Sequence, residues 1–266
     1  MITIENKLLT NYTFIDLFAG LGGFRIALES LGAKCVYSNE WDVTVQKVYA
    51  ENFGDIPEGD ITQVNENTIP DHDILCAGFP CQAFSISGKQ RGFEDSRGTL
   101  FFDVARIVKA KKPKVVFMEN VKNFVTHDGG KTLDFVKRIM EELGYTFYYK
   151  VLNAVDYGVP QKRERIYIVC FRNDLDSIGF KYPKPFKLTR HVEDFLLEDE
   201  EMVKDLYVNR PDTYFNGVED NQYSNRSIRL GIVNKGDREK EHTVRRESQL
   251  LFLHTVEVCL QRQEVI

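Results

Sequence analysis

Three segments of this sequence bring together residue types that do nucleophilic chemistry. In the first, Phe79-Pro80-Cys81-Gln82 places a thiol just beyond a short apolar run, Ile74–Gly78. A thiol at the end of a strand meets ligands, and as the thiolate it is a nucleophile. Pro80 fixes its own φ and so helps to orient its neighbour. In the second, Glu119-Asn120-Val121 follows the apolar run Val115–Met118, and in the third, Gln161-Lys162-Arg163-Glu164-Arg165 stands immediately before Ile166–Phe171. A guanidinium near a thiol favours thiolate over thiol. On position alone, nucleophile and inert thiol stand level for Cys81, and a Glu-Asn pair or a basic pair beside a strand is ordinarily a solvated surface. What makes one site plausible is that all of them sit beside strands of one sheet. The other cysteines differ. Cys35, Cys76 and Cys170 lie inside apolar runs, where cysteine is usually a small core side chain, and Cys259 lies in a stretch with no readable pattern. Cys76 and Cys81 have zinc-knuckle spacing but no second ligand pair, so no metal is expected.

A second constellation points to a cofactor. The run Phe14–Phe18 leads into Ala19-Gly20-Leu21-Gly22-Gly23-Phe24-Arg25 and then a helical pattern. Glycines here allow a sharp turn and close approach of a ligand. A dinucleotide fingerprint needs glycine where Arg25 stands, which weighs against hydride transfer. Glu40 ends the second strand, where a carboxylate can accept from ribose hydroxyls. Trp41 offers an apolar face for a purine or a sulfonium, and Asp60 could accept from an adenine amino group. Each feature alone is as well read as a tight turn or a solvated strand end. Together, in strand–loop–helix order, they favour a nucleoside-bearing cofactor.

The elements that position these residues alternate. Strands are expected at Phe14–Phe18, Lys34–Asn39, Ile74–Gly78, Val115–Met118 and Ile166–Phe171, and helices at Phe24–Leu31, Val43–Asn52, Leu100–Ala110 and Leu133–Leu143. Near-continuous apolar strands between amphipathic helices indicate parallel βαβ units, hence an α/β domain with a mostly parallel sheet and helices on both faces. Its ligands are expected at the carboxyl ends of the strands. The rhythm breaks near 175–190, so residues 1–180 are read as the cofactor-binding and catalytic domain. A small lobe begins over 181–236, and 237–266 forms an atypical tail. The 266 residues are 42% hydrophobic and 28% charged, as in ordinary globular proteins. No apolar run approaches the roughly 18 residues of a membrane span, and the N-terminal stretch lacks a signal peptide's pattern. Five scattered cysteines suggest reduced thiols in a cytosolic protein. The net charge of −5 leaves a nucleic-acid partner open, since binding needs only a local basic face.

From about Tyr12 to Gly236 the chain resembles the DNA cytosine-5 methyltransferases, most closely the short bacterial modification enzymes of the HhaI type. Phe18-Ala19-Gly20-Leu21-Gly22-Gly23, Pro80-Cys81-Gln82, Glu119-Asn120-Val121 and Gln161-Lys162-Arg163-Glu164-Arg165 stand in the order and approximate spacing of that family. The resemblance implies a Rossmann-like fold dependent on S-adenosylmethionine, base flipping, and methyl transfer to C5 of cytosine in double-stranded DNA through a covalent cysteine–C6 adduct. It implies Cys81 as nucleophile, Glu119 on N3 and the exocyclic amine, Arg165 on O2, and Arg163 supporting the thiolate and the flipped nucleotide. The S-adenosylmethionine pocket would comprise Phe18, Gly20, Gly23, Glu40, Trp41, Asp60, Ile61, Pro80 and Leu100. Ser85, Ser87, Lys89, Arg91 and Arg97, on the loop from Ala83 to Gly98, would meet DNA phosphates; the same residues also describe a plain polar surface loop. The resemblance further implies a bacterial cytoplasmic, DNA-associated enzyme, no membrane, a paired restriction endonuclease and, by closeness to the HhaI type, the site GCGC.

The departure from the family lies after Gly231-Ile232-Val233-Asn234-Lys235-Gly236. Relatives continue with a Gly-rich recognition region and a final segment that completes the cofactor pocket, whereas residues 237–266 contain no glycine. Codons for Asp237-Arg238-Glu239-Lys240-Glu241, read out of frame, can give Gln-Gly-Glu-Arg, a family-like stretch. The expectation is a frameshift near codon 236, with a divergent short member as the alternative. On that reading the chain alone is marginally stable and transfers little methyl, and a C-terminal fragment of a full-length relative complements it. A catalytically inactive remnant with weak cofactor or DNA binding is the competing function, and a Rossmann-type oxidoreductase the third.

Overall fold

The apolar runs form one sheet of six strands: β1 (Thr13–Leu17), β2 (Lys34–Asn39), β3 (Ile74–Ala77), β4 (Val115–Val121), β5 (Tyr145–Asn153) and β6 (Glu164–Arg172). Among the described residues four helices accompany them: α1 (Gly23–Ser30), α2 (Val43–Phe53), α3 (Leu100–Lys111) and α4 (Lys131–Glu142). This computed structural model describes residues 8–80 and 100–189, and beyond them only the paired strands β7 (Tyr214–Phe215) and β8 (Gly231–Ile232). Helix α2 shows how local sequence sets its limits. The Asp42 carboxylate accepts from the N–H groups of Thr44 and Val45 to start the helix, and Gly54, at φ 81°, ends it.

The strand order is β2-β1-β3-β4-β6-β5. β2, β1, β3 and β4 are parallel, as the alternation with helices predicts, and the direction of growth reverses between β1 and β3. A crevice at the carboxyl ends of these two strands follows from that reversal. Two expectations need correction. The run Ile166–Phe171 is not a further parallel unit: β6 is antiparallel to both β4 and β5. The sequence pattern also missed β5. The crossover through α4 sets β5 parallel to β4 but one position away, and the chain then returns as β6 into the gap. The short link through the 3-10 turn Ala154–Tyr157 suits such an antiparallel return. β5 escaped notice because it is an edge strand, and its Thr146, Tyr149 and Lys150 are exposed.

Strand alternation divides the core in two. Ile15, Leu17, Leu75, Ala77, Val116 and Met118 face α3 and α4, packing against Val104, Ile107, Val136 and Ile139. Phe14, Cys76, Phe117, Val169 and Phe171 face the other way, against Ala27, Leu28 and Leu31 at α1. Helices on both faces are thus present. No helix among the described residues is long and apolar enough to cross a membrane.

One core residue is at odds with its surroundings. Asp16 in β1 is fully buried, and neither carboxyl oxygen makes a well-formed hydrogen bond. Burial pushes its carboxyl well above the usual carboxylate range, against the pull of the Arg25 guanidinium and backbone N–H. The folded protein therefore keeps this proton where the unfolded chain has lost it. Folding stability attributable to Asp16 is present at pH values below the unfolded carboxylate range and falls as pH rises toward the folded value. Asp16→Asn keeps the shape and removes the titration. Its melting temperature is expected to exceed the wild type's by a few degrees at pH 8 and to match it near pH 4; equal differences at both pH values would refute the assignment.

Candidate functional site

After β1 the chain turns through Phe18 and Gly20, both at φ 56°, and reaches Gly22 at φ 83°, the residue that caps α1. A non-glycine residue in the left-handed region is strained, and such strain gathers where a backbone must approach a ligand. The turn is fixed from the neighbouring strand. Ala19 N–H donates to Asn39 O at 2.9 Å, and Gly20 N–H donates to Glu40 Oε2 at 2.9 Å. Glu40 Oε1 accepts from Asp42 N–H at 3.0 Å. Two backbone donors therefore aim this carboxylate, and each oxygen keeps a second lone pair with which to accept a hydroxyl.

Around Glu40 stand the other expected cofactor residues. Trp41, the only tryptophan of the chain, is 73% exposed and presents its indole to solvent. The Asn39 amide donates to Glu58 O at 3.1 Å and also to Gly59 O, drawing the 58–60 loop to the end of β2. Asp60 Oδ1 accepts from the Thr62 N–H and hydroxyl, so one carboxylate oxygen caps the following 3-10 turn while the other makes neither bond. The Ile61 side chain is buried in the core, so what it can offer a ligand is backbone. Arg106 holds that segment to α3, donating to Ile61 O and pairing with Glu66 at 2.8 Å and Asp103 at 2.9 Å. Gly23 opens α1, Leu100 opens α3, and exposed Pro80 follows β3.

Arg25, where a dinucleotide-binding loop would have glycine, has a structural duty here. It pairs with Glu29 at 2.8 Å and Asp55 at 2.7 Å, and its guanidinium lies 4.5 Å from the Phe53 ring centroid. This clamps α1 to the end of α2. Gly22 lies against the same aromatic pair: a Cβ there would collide with the Phe53 ring and crowd Tyr49. With the positive φ added, Gly22→Ala is expected to cost about 2–4 kcal/mol. It should also weaken binding of the expected nucleoside-bearing cofactor at least about tenfold, since a displaced loop loses the Glu40 tether. Fluorescence of Trp41 reads the affinity, and unchanged binding and melting would refute the constraint.

The second cluster lies on β4 and β6. Because β6 is antiparallel, its beginning comes to the edge where β4 ends, with Glu119 opposite Tyr167 and Val121 opposite Arg165. Arg165 Nε stands 3.0 Å from Glu119 Oε1, and Arg165 Nη1 donates to Glu164 O at 2.9 Å. Lys122 pairs with Glu164 at 2.8 Å. Burial raises the Glu119 carboxyl above its ordinary value although Arg165 and Arg163 pull it down. A carboxyl raised in this way holds its proton to higher pH than a free one, and in that form it can donate a hydrogen bond or a proton.

Asn120, almost fully buried, joins this cluster to the end of β3. Its amide donates to Phe79 O at 2.9 Å, while its Oδ1 accepts from Val121 N–H at 2.8 Å. Phe79 is itself wedged between the rings of Phe101 and Phe124. The backbone of Phe79, next to Pro80, is therefore fixed beside the Glu119-Asn120 strand end. Cys81 and the expected DNA contacts Ser85, Ser87, Lys89, Arg91 and Arg97 lie outside the described residues, as do Cys259 and the tail 237–266. Among the described residues no cluster of metal-ligating side chains occurs. Sequence reasoning missed Asn39, Asp42 and Arg106; an Asn or Asp at a strand end is a signal for the first two, whereas Arg106 looks like any helical surface charge.

A family model described as C-5 cytosine-specific DNA methylase matches residues 12–255. The chain is 68% identical over 236 residues to the type II methyltransferase M.HhaI of Haemophilus parahaemolyticus, covering 89% of this chain and 72% of that protein. It is 52% identical over 196 residues to the type II methyltransferase M.HaeII of Haemophilus aegyptius, spanning about 60% of that relative's length. Among solved structures, a DNMT2 mutant from Spodoptera frugiperda superposes with a TM-score of 0.59 at 24% identity, covering 71% of this chain and 60% of that one. At that identity the likeness shows the fold, a Rossmann-like methyltransferase sheet.

Proposed function

The chain belongs to the C-5 cytosine-specific DNA methylase family, and we propose that it transfers a methyl group from S-adenosylmethionine to C5 of a flipped-out cytosine in duplex DNA, using Cys81 as a covalent nucleophile. The observation that carries this reading is the meeting of Glu119, Arg165 and the Asn120-tethered backbone of Phe79 at one sheet edge. That edge adjoins the Glu40-tethered glycine loop on β1. The donor set fits the cofactor. Glu40 suits ribose hydroxyls, Asp60 an adenine amine, Trp41 and Phe18 apolar faces, and Gly20 and Gly23 close approach; Ile61, Pro80 and Leu100 would complete the pocket. S-adenosylmethionine, when bound, supplies an electrophilic methyl group.

The protein's own part begins with the base out of the stack, where its ring atoms can be reached. Cys81 Sγ, as thiolate, forms a bond to C6. Electron density moves toward N3, and the Glu119 carboxyl, holding its proton at that atom, stabilises it while its other oxygen accepts from the exocyclic amine. C5 thereby becomes nucleophilic enough to take the methyl group. Loss of the C5 proton to a water molecule acting as base then restores the double bond as the C6–S bond breaks, returning the thiolate, and the proton on N3 goes back to Glu119. Arg165 holds Glu119 and reaches the cytosine O2. Arg163 adds positive potential that favours the thiolate and the flipped nucleotide. Ser85, Ser87, Lys89, Arg91 and Arg97 meet phosphates. The setting is bacterial cytoplasm, with a paired restriction endonuclease reading the same site, for which GCGC is the first sequence to assay. Residues 1–180 form the catalytic domain and 181–236 contribute to DNA recognition.

Calorimetry separates this reading from an oxidoreductase, with S-adenosylmethionine binding and NAD not; the reverse would overturn it. Tritiated methyl transfer to duplex DNA then separates an enzyme from a binding remnant. Because the chain spans 72% of M.HhaI, the assay is run alone and with a co-expressed C-terminal fragment of a full-length relative. Transfer is expected in the complemented sample, and its absence there would contradict the proposal.

A further inference from the structure

The turn that presents Arg163 and Arg165 is held from an unexpected side. Asn153 ends β5 and immediately precedes the 3-10 turn Ala154–Tyr157, where an Asn side chain ordinarily caps the following N–H groups. It makes no such cap. Its Oδ1 instead accepts from the Arg163 N–H at 3.0 Å, while the neighbouring Ala154 N–H donates to Arg163 O at 3.0 Å. The backbone of Arg163 is thus gripped at both polar groups by consecutive residues of the adjacent strand end. Asn153 lies opposite Glu164, so the side-chain bond prolongs the β5–β6 ladder one residue beyond its last regular pair.

The consequence reaches Glu119. Arg163 stands one residue before β6, where the alternation of the strand, carried one step back, assigns it the side of Arg165 and Tyr167, and its charge acts on both Glu119 and Tyr167. Arg165 contacts Glu119, and Tyr167 lies opposite it. Glu164, on the other side, is tied to Lys122. From this geometry we infer that Asn153 is a positioning residue, whose side-chain oxygen fixes the Arg163 backbone and so keeps the Arg163 guanidinium on the Glu119 face of the site. The inference rests on the proposed function for its kinetic consequences, but not for its structural ones.

The test compares Asn153→Ala with Asn153→Asp in the full chain, complemented as above. Alanine removes the acceptor, and aspartate retains one. Asn153→Ala is expected to lower kcat for methyl transfer about tenfold, which corresponds to about 1.4 kcal/mol, the size of one hydrogen bond. KM for S-adenosylmethionine should stay within about twofold, and Asn153→Asp should recover most of kcat. Arg163 pulls the Glu119 carboxyl down, so its displacement should move the Glu119 titration further up, read by 13C NMR of glutamate-labelled protein without turnover. Should alanine prevent folding, Asn153→Leu, similar in shape and lacking the acceptor, takes its place. An unmoved Glu119 titration overturns the inference, as does a fall in kcat with a rise in KM for S-adenosylmethionine that aspartate does not repair. Failure of the wild type to methylate would instead count against the proposed function, leaving the titration to decide this one.

Discussion

Cys81→Ser is expected to abolish methyl transfer, by on the order of 10⁴-fold or more, while S-adenosylmethionine affinity stays within about twofold. A cysteine thiol has an ordinary pKa of about 8.5 and is a few per cent thiolate at neutral pH even unassisted. On the proposed mechanism the guanidiniums of Arg163 and Arg165 would raise that fraction, whereas a serine hydroxyl in the same role supplies almost no anion. The loss should therefore fall on the step that forms the bond to C6, and on no other. Nucleoside mass spectrometry of digested DNA measures 5-methylcytosine formation, and Trp41 fluorescence measures cofactor binding in the same preparations. Residual transfer within a hundredfold of wild type would remove Cys81 from the nucleophile's role.

Glu119→Gln is the second large effect, with an expected loss of about 10²–10³-fold in kcat and little change in KM for DNA. Glutamine can still donate one N–H and accept one bond, so the flipped base keeps its contacts. What it lacks is a proton that can follow the charge onto N3. The pH dependence carries the sign. Burial raises the Glu119 carboxyl above its ordinary value against Arg165 and Arg163, so the active, protonated form is full below that raised value and is lost as pH rises through it. Thiolate formation runs the other way, which makes the wild-type profile bell-shaped. In Glu119→Gln the alkaline limb attributable to this carboxyl should vanish while the acid limb remains. An alkaline limb unchanged in the variant would assign it to another group.

Much of this was readable in the residues, and the exceptions have physical reasons. Apolar runs with 3.6-residue helical patterns between them placed β1 to β4 and all four helices within a few residues of their observed limits. β5 was lost because an edge strand with exposed Thr146, Tyr149 and Lys150 does not form a continuous apolar run. That omission hid the reversal of β6. In a wholly parallel sheet, a motif preceding a strand would lie at the edge away from Glu119; the antiparallel return brings Arg165 to 3.0 Å from it. The site types were legible because cysteine after a strand, carboxylate after a strand and paired arginines are chemically unusual together. Their supports were not. Asn39, Asn120 and Asn153 act through side-chain bonds to backbone well removed in the chain, and no local pattern encodes such partners.

The most direct test of covalent catalysis uses duplex DNA carrying 5-fluorocytosine at the target position, with S-adenosylmethionine and the complemented chain. Fluorine at C5 cannot leave as a proton does, so the bond from cysteine to C6 should persist after methyl transfer. A denaturation-stable protein–DNA adduct is predicted, and peptide mapping should place it on Cys81, with none formed by Cys81→Ser. An adduct mapped to Cys35, Cys76, Cys170 or Cys259, or methyl transfer to normal DNA with no adduct trapped at all, would contradict the account.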